Sequence, residues 1–224
     1  MSDRLFYEIF ANIARLGYVA LSIFGLINMR KLSGAYRFLI YLVLLAIVTD
    51  GTVLLLRLKD ITSPCIYHFY TIFEYSLLCI VLSFWQRKPN IAKAMRVSIL
   101  PFAMIWIISK ITGLEKFTHF DAYTASLSCA LLTLMSMFTL VNLITDYFEN
   151  ITRRPEFWIT LGILIYTAGN AINFAVSKTI FYITWNINNF LTITAILCYA
   201  GGLLLQIRSN RYGPSSWQRS SSQF

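Results

Sequence analysis

Charged side chains are scarce in this 224-residue sequence, at 13% of the total against about a quarter in an ordinary soluble domain. So little charge leaves too few ionic groups to clothe a water-facing surface, and lipid becomes the expected solvent. Histidine occurs twice, as His68 and His119, which excludes a three-histidine zinc site by count. The four cysteines, Cys65, Cys79, Cys129 and Cys198, form no CxxC pair. Three fall inside apolar runs and are read as small hydrophobes, and the four suggest neither a disulfide framework nor a metal site. GxSxG, HExxH and Walker sequences are missing, which removes the common hydrolase, metalloprotease and nucleotidase signatures. The third and seventh apolar segments contain no lysine to anchor a retinal Schiff base. No cofactor is expected.

Two further absences concern targeting and partners. The formal charge of +9 is not gathered into a Lys/Arg run, so a nucleic-acid partner is not expected. The N-terminal MSDRLFYEIFANIARLGYVALS has no basic stretch ahead of its apolar core and no small-x-small cleavage site. Its apolar segment is expected to be retained as a span.

What the sequence has in abundance is apolar length, with 57% hydrophobic residues. Seven apolar stretches occur, at about 8–29, 36–56, 66–85, 94–112, 122–145, 157–177 and 180–206. Each is long enough to cross hydrocarbon as a helix, which satisfies its own backbone hydrogen bonds there. The fourth contains Pro101, expected to kink the helix without ending it. The fold class predicted is all-α, an integral membrane seven-helix bundle over residues 1–207. A short basic, Ser-rich cytoplasmic tail over 208–224 follows, suited to touching anionic headgroups.

The connections sort by charge. Twelve basic residues (Arg30, Lys31, Arg37, Arg87, Lys88, Lys93, Arg96, Arg153, Arg154, Arg208, Arg211 and Arg219) share one side with only Asp146, Glu149 and Glu156. The other side holds Arg4, Arg57, Lys59, Lys110, Lys116 and Lys178 against Asp3, Glu8, Asp60, Glu115 and Asp121. Positive loops stay inside, which predicts an N-out/C-in protein. Trp85, Trp158 and Trp217 at one side, and Tyr67, Tyr123 and Tyr182 at the other, suit interfacial anchoring.

Ionisable residues within spans are costly, and they mark candidate function. Arg15, Asp50 and Glu74 fall in the first three spans. At 1.5 Å rise per residue, Arg15 and Glu74 lie roughly 10–12 Å below the outer edge, and Asp50 reaches a similar level. Their summed charge is near −1, to be offset by a proton, cation or ligand. Tyr67, Tyr70 and Glu74 share a face at i, i+3, i+7, with His68 and Thr71 on the adjoining strip. Asn170 with Asn173, and Asn186 with Asn189, form further pairs; Tyr182 and Thr192 extend the second stripe by one turn each way. These amides suit a cavity wall or plain hydrogen bonding between helices. Arg15 suits a buried ion pair or a side chain reaching for the interface. Gly169, Gly201 and Gly202 are read as helix-packing positions, and His68 as a structural histidine.

The segment RRPEFWITLGILIYTAGNAINF, followed by WNINNFLTITAILCYA, resembles the final two spans of multi-pass sensor regions of bacterial membrane histidine kinases. YHFYTIFEYSLLCIVLSFW resembles their acidic third span. The resemblance covers about half the chain and implies a signalling module of a bacterial inner membrane. No kinase domain is present in these residues, so it also implies a separate signalling protein as partner. Three functions remain open: a receptor-like module binding a small or lipidic ligand in the outer half of the bilayer; a lipid hydrolase like the small lysoplasmalogenases, with Asp50 and Glu74 as acid and base; or a proton-coupled transporter. No inverted repeat favours the last.

Overall fold

A computed structural model of the chain describes residues 3–59, 64–118, 121–176 and 181–211. His119, Asp60, Lys178, Trp217 and Arg219 lie outside the described residues, as do the side chains of Arg4, Arg57, Glu149, Tyr182 and Arg211. The described residues form helices and no strand: α1 (Asp3–Ile27), α2 (Gly34–Arg57), α3 (Cys65–Phe84), α4 (Pro89–Val97), α5 (Ile99–Ile111), α6 (Ala122–Tyr147), α7 (Pro155–Val176) and α8 (Phe181–Arg211). Seven helical stretches are long and apolar enough to cross a bilayer, α4 and α5 counting together. That number and apolarity are those of a multi-pass membrane protein.

The apolar stretches predict these helices to within a few residues at most ends. The exceptions are polar termini. α1 begins at Asp3, α4 begins at Pro89, and α8 continues to Arg211 through what was read as the start of the tail. Hydropathy ends where charge begins, whereas a helix continues until its backbone is capped. At α4 the cap is Pro89 in the first turn, where a missing N–H costs nothing.

Six of the helices close a ring. α1 packs on α2 and α8, α2 on α3, α3 on α6, α6 on α7, and α7 on α8. The α4–α5 rod packs outside this ring against α3 and α6, and it is the least buried of the seven stretches. Its bend at Ser98 follows from Pro101, whose ring displaces the carbonyl of Val97. The Ser98 hydroxyl lies 2.7 Å from Met95 O and 3.0 Å from the Tyr75 hydroxyl, tying the bend to α3. Tyr75 stacks on Phe102 with ring centroids 4.1 Å apart, so the rod is held by a fully buried aromatic pair.

Close helix contacts carry the rest of the ring. Gly202 lies on α7, where an added Cβ would come within 2.9 Å of Pro155 O. Gly169 lies similarly against Leu191, but Gly201 has nothing within 4 Å, so the expectation that Gly201 is a packing position is corrected. Large apolar side chains face outward all round: Leu16, Leu100, Leu134 and Leu197 are each 65–69% exposed. Such an exterior suits acyl chains, not water.

The two ends of the bundle differ. At one end Tyr36 bonds Glu156 (2.9 Å), Arg87 pairs with Asp146 (3.2 Å), and Trp158 donates to Thr152 O (2.8 Å). The start of α2, the ends of α3 and α6 and the start of α7 therefore meet there, together with the basic connections between them. At the opposite end the start of α3 meets the end of α5 and the start of α6.

Candidate functional site

A cavity of about 130 Å³ lies inside the ring and is walled by all six ring helices or their ends. On α3, Tyr67, Tyr70, Thr71 and Glu74 face it together, as the i, i+3, i+7 spacing requires. Glu74 is nine residues into α3, about 14 Å along its axis. Its Oε1 accepts a 3.0 Å hydrogen bond from the Tyr70 hydroxyl, and Tyr166 of α7 approaches the same carboxylate. Tyr18 of α1 also faces it and reaches Thr192 of α8. A buried carboxylate ringed by phenols replaces its lost water shell with hydroxyl donors.

Arg15 and Asp50 line the same cavity. Arg15 is half-buried, and its Nη1 donates to Asn12 Oδ1 at 3.0 Å on the α1 surface. Asn189 lines the wall as well, with Trp185, Asn188 and Thr192 completing an α8 face of i, i+3, i+4, i+7 spacing. The other predicted amides do not line it. Asn170 and Asn173 are buried and bonded to each other at 3.2 Å, and Asn186 lies off the wall. Three-residue spacing puts two side chains on one flank of a helix, and at α7 that flank packs into the bundle.

Asp121 was counted with the connections, yet it is fully buried and forms part of the wall. Its Oδ2 is 2.6 Å from the Thr71 hydroxyl, which also lies 3.0 Å from Tyr67 O, so that one proton serves two acceptors. Its Oδ1 is buried with no partner. Asp121 immediately precedes Ala122 and is the residue expected to cap α6 with its side chain. Glu115 does this instead. Its Oε1 accepts from the amides of Tyr123 and Thr124, and its Oε2 accepts from the Thr124 hydroxyl at 2.7 Å.

Glu115 reaches that place through a turn. α5 closes at Gly113, whose φ of +72° is the left-handed conformation favoured after a helix C-terminus, and Glu115 N then donates to Ser109 O at 3.1 Å. Lys110 completes the knot, with its ammonium 3.0 Å from Glu115 Oε2 and both side chains under 10% exposed. It also contacts His68 Nδ1 and lies over the rings of Trp106 and Phe117. Trp106 Nε1 donates to His68 O at 3.0 Å. His68 is thus held at the start of α3 by Lys110 and Trp106.

Burial pushes the Asp121 carboxyl above the usual carboxylate range, with the neighbouring Glu115 adding to it and Thr71 and His68 opposing. Burial acts the same way on Glu115, but hydrogen bonds from Thr124 and Lys110, with the Lys110 charge, outweigh it and hold that carboxyl low. Two carboxylates at the start of one helix are therefore driven apart in acidity, the capping one charged and the cavity one reluctant to ionise.

Asp121, Tyr18, Tyr166, Trp185 and Asn188 were missed in sequence. Two had a usable signal: Asp121 directly precedes an apolar run that starts at Ala122, and Tyr18 follows Arg15 by three residues on the same helix. Among the described residues, no three His, Cys, Asp or Glu side chains are grouped as metal ligands would be. The cavity carboxylates are spread round the wall. Comparison of the chain with protein-family models, with curated proteins and with solved structures finds no match.

Proposed function

We propose that the chain is a receptor-like or regulatory module of the cell inner membrane, crossing it seven times with its N-terminus outside and its C-terminus inside, and binding a small or lipidic ligand in the cavity. The observation that carries this reading is the polar cavity itself. Three carboxylates and one guanidinium from four different elements line one space of about 130 Å³, close to the ~150 Å³ that holds a benzene-sized guest. Groups so costly to remove from water are retained in a bundle when they meet something there. The orientation rests on the basic end, which the positive-inside rule assigns to the cytoplasm; the cavity then lies in the half of the bundle nearer the outer leaflet. The resemblance to sensor regions of histidine kinases favours a signalling role.

The test is a thermal-shift screen of small amines, acids, alcohols and lysolipids on the purified chain and on Ala46→Phe, which fills the cavity from α2. A compound of any class that stabilises the wild type and not the filled variant supports the reading. Equal responses of the two proteins across the screen would remove the cavity from the account. Cysteines introduced at Ser2 and Ser220 should label from opposite sides of the membrane; labelling from one side refutes the seven-span orientation.

A second reading has one observation in its favour, since Asp50 and Glu74 share the cavity and suit acid and base roles on a lysolipid, as in the lysoplasmalogenases. Turnover of a lysolipid by the wild type that Glu74→Gln abolishes would establish it. No turnover above that variant refutes it.

A further inference from the structure

The cavity wall is unbalanced in charge and in hydrogen bonding. Asp50, Glu74 and Asp121 face one Arg15 across it, and Arg15 already donates to Asn12 at its half-buried edge. Lys110 lies close to this wall but is engaged by Glu115 and His68. The buried atoms without partners lean the same way. On the wall, Asp121 Oδ1 and Asn188 Oδ1 are acceptors, against the one donor Asn189 Nδ2. Asp121 is 0% exposed, so its free oxygen has no solvent to turn to. Unpartnered buried acceptors are costly until a donor arrives.

The remaining wall is aromatic. Tyr7, Tyr18, Tyr67, Tyr70, Tyr166 and Trp185 surround the carboxylates. Ring faces attract cations, and cages of such rings are a recurrent solution for ammonium groups. A carboxylate ligand would add a fourth acid to the three on the wall, and a neutral apolar one would leave the acceptors orphaned.

We infer that the ligand taken by this cavity is an alkylammonium group bearing N–H donors, held between the aromatic rings with its protons directed at Asp121 Oδ1 and Asn188 Oδ1. The inference rests on the cavity-binding reading above and names the chemistry of the guest. A cation there supplies the counter-charge that lets the wall's acids ionise, and its N–H groups satisfy acceptors that protein atoms leave empty. A free amine and the ammonium of a phosphatidylethanolamine headgroup present the same chemistry, and the space suits about the heavy atoms of either one's amino-ethyl end.

The test uses the purified full chain in neutral detergent with n-propylammonium, tetramethylammonium, propan-1-ol and propionate as probes, titrated by thermal shift. Propylammonium should stabilise the wild type saturably, tetramethylammonium less, and the alcohol and the acid not at all. Asp121→Asn should weaken propylammonium about thirtyfold or more, and wild-type affinity in that variant overturns the inference. Stabilisation by propionate or propanol equal to that by propylammonium overturns the inference while leaving a ligand cavity standing. A screen in which Ala46→Phe and wild type respond alike removes both. Nanodiscs separate the sources: exchange of phosphatidylglycerol for phosphatidylethanolamine should compete with propylammonium if the headgroup enters, and should leave its affinity unchanged if the free amine is the guest.

Discussion

Removing the Lys110 ammonium tests the knot that holds the fourth apolar rod to the ring. In Lys110→Met, Glu115 keeps the Thr124 hydroxyl and the Tyr123 and Thr124 amides and the positive end of α6, but loses the ion pair with Lys110. Breaking a buried pair from one side costs about 3–5 kcal/mol, and the surviving donors put this case near the lower limit, about 3 kcal/mol. Glu115→Gln leaves a buried ammonium beside His68 without a counter-charge, a loss of about the same size. The double variant buries no charge and forfeits hydrogen bonds alone, about 1–2 kcal/mol. At about 2–4 °C per kcal/mol for a chain of this length, each single change should lower Tm by about 6–12 °C and the double by less than either. Unfolding can be followed with a thiol-reactive fluorogenic dye, because Cys79, Cys129 and Cys198 are free and buried in the fold. A double variant whose loss equals the sum of the two single losses would refute the argument, since it would mean that the two groups act independently.

The two carboxyls at the α6 start should also give opposite pH signatures in the ligand-free protein. The raised Asp121 carboxyl keeps a proton that the unfolded chain gives up near pH 4, so stability is lost as pH rises through that window, and Asp121→Asn should gain on the wild type more at pH 7 than at pH 4. The lowered Glu115 acts in the other sense: its contribution is present above the unfolded value and is lost as pH falls through the folded one, and Glu115→Gln should flatten that acid limb. Identical Tm–pH curves for wild type and both variants would contradict the assignment. At the α7–α8 contact, Gly202→Ala drives a Cβ to within 2.6 Å of Ile159 Cγ1 and 2.9 Å of Pro155 O, a loss of about 1–3 kcal/mol. Gly201→Ala meets nothing and should gain up to about 1 kcal/mol from helix propensity; equal Tm values for the two refute the packing argument.

Element type and number were legible because they depend on apolar length alone. Seven runs of about 20 residues leave the backbone no other way to satisfy itself in hydrocarbon. The α3 face of the cavity was legible for a related reason: Tyr67, Tyr70 and Glu74 lie on one helix, where spacing dictates direction. Asn170 and Asn173 show the limit of that argument, since spacing says which residues share a flank but not which neighbour the flank meets. Asp121 shows another limit. It directly precedes α6, and only the turn at Gly113, with Glu115 folded back onto the α6 amides, frees its side chain to join a wall.

That substitution of one acid for another links the outer rod to the cavity. A helix start presents amides that some acceptor must take, and the nearest side chain able to do so is Asp121. Because Glu115 occupies Tyr123 N and Thr124 N, Asp121 is released to lie against Thr71 with its second oxygen unspent. The aromatic ring of Phe117 and the indole of Trp106, both over Lys110, keep water from the pair that makes this possible. Among the described residues the fourth apolar stretch contributes nothing to the wall itself, yet the carboxylate with the unspent oxygen owes its position to it.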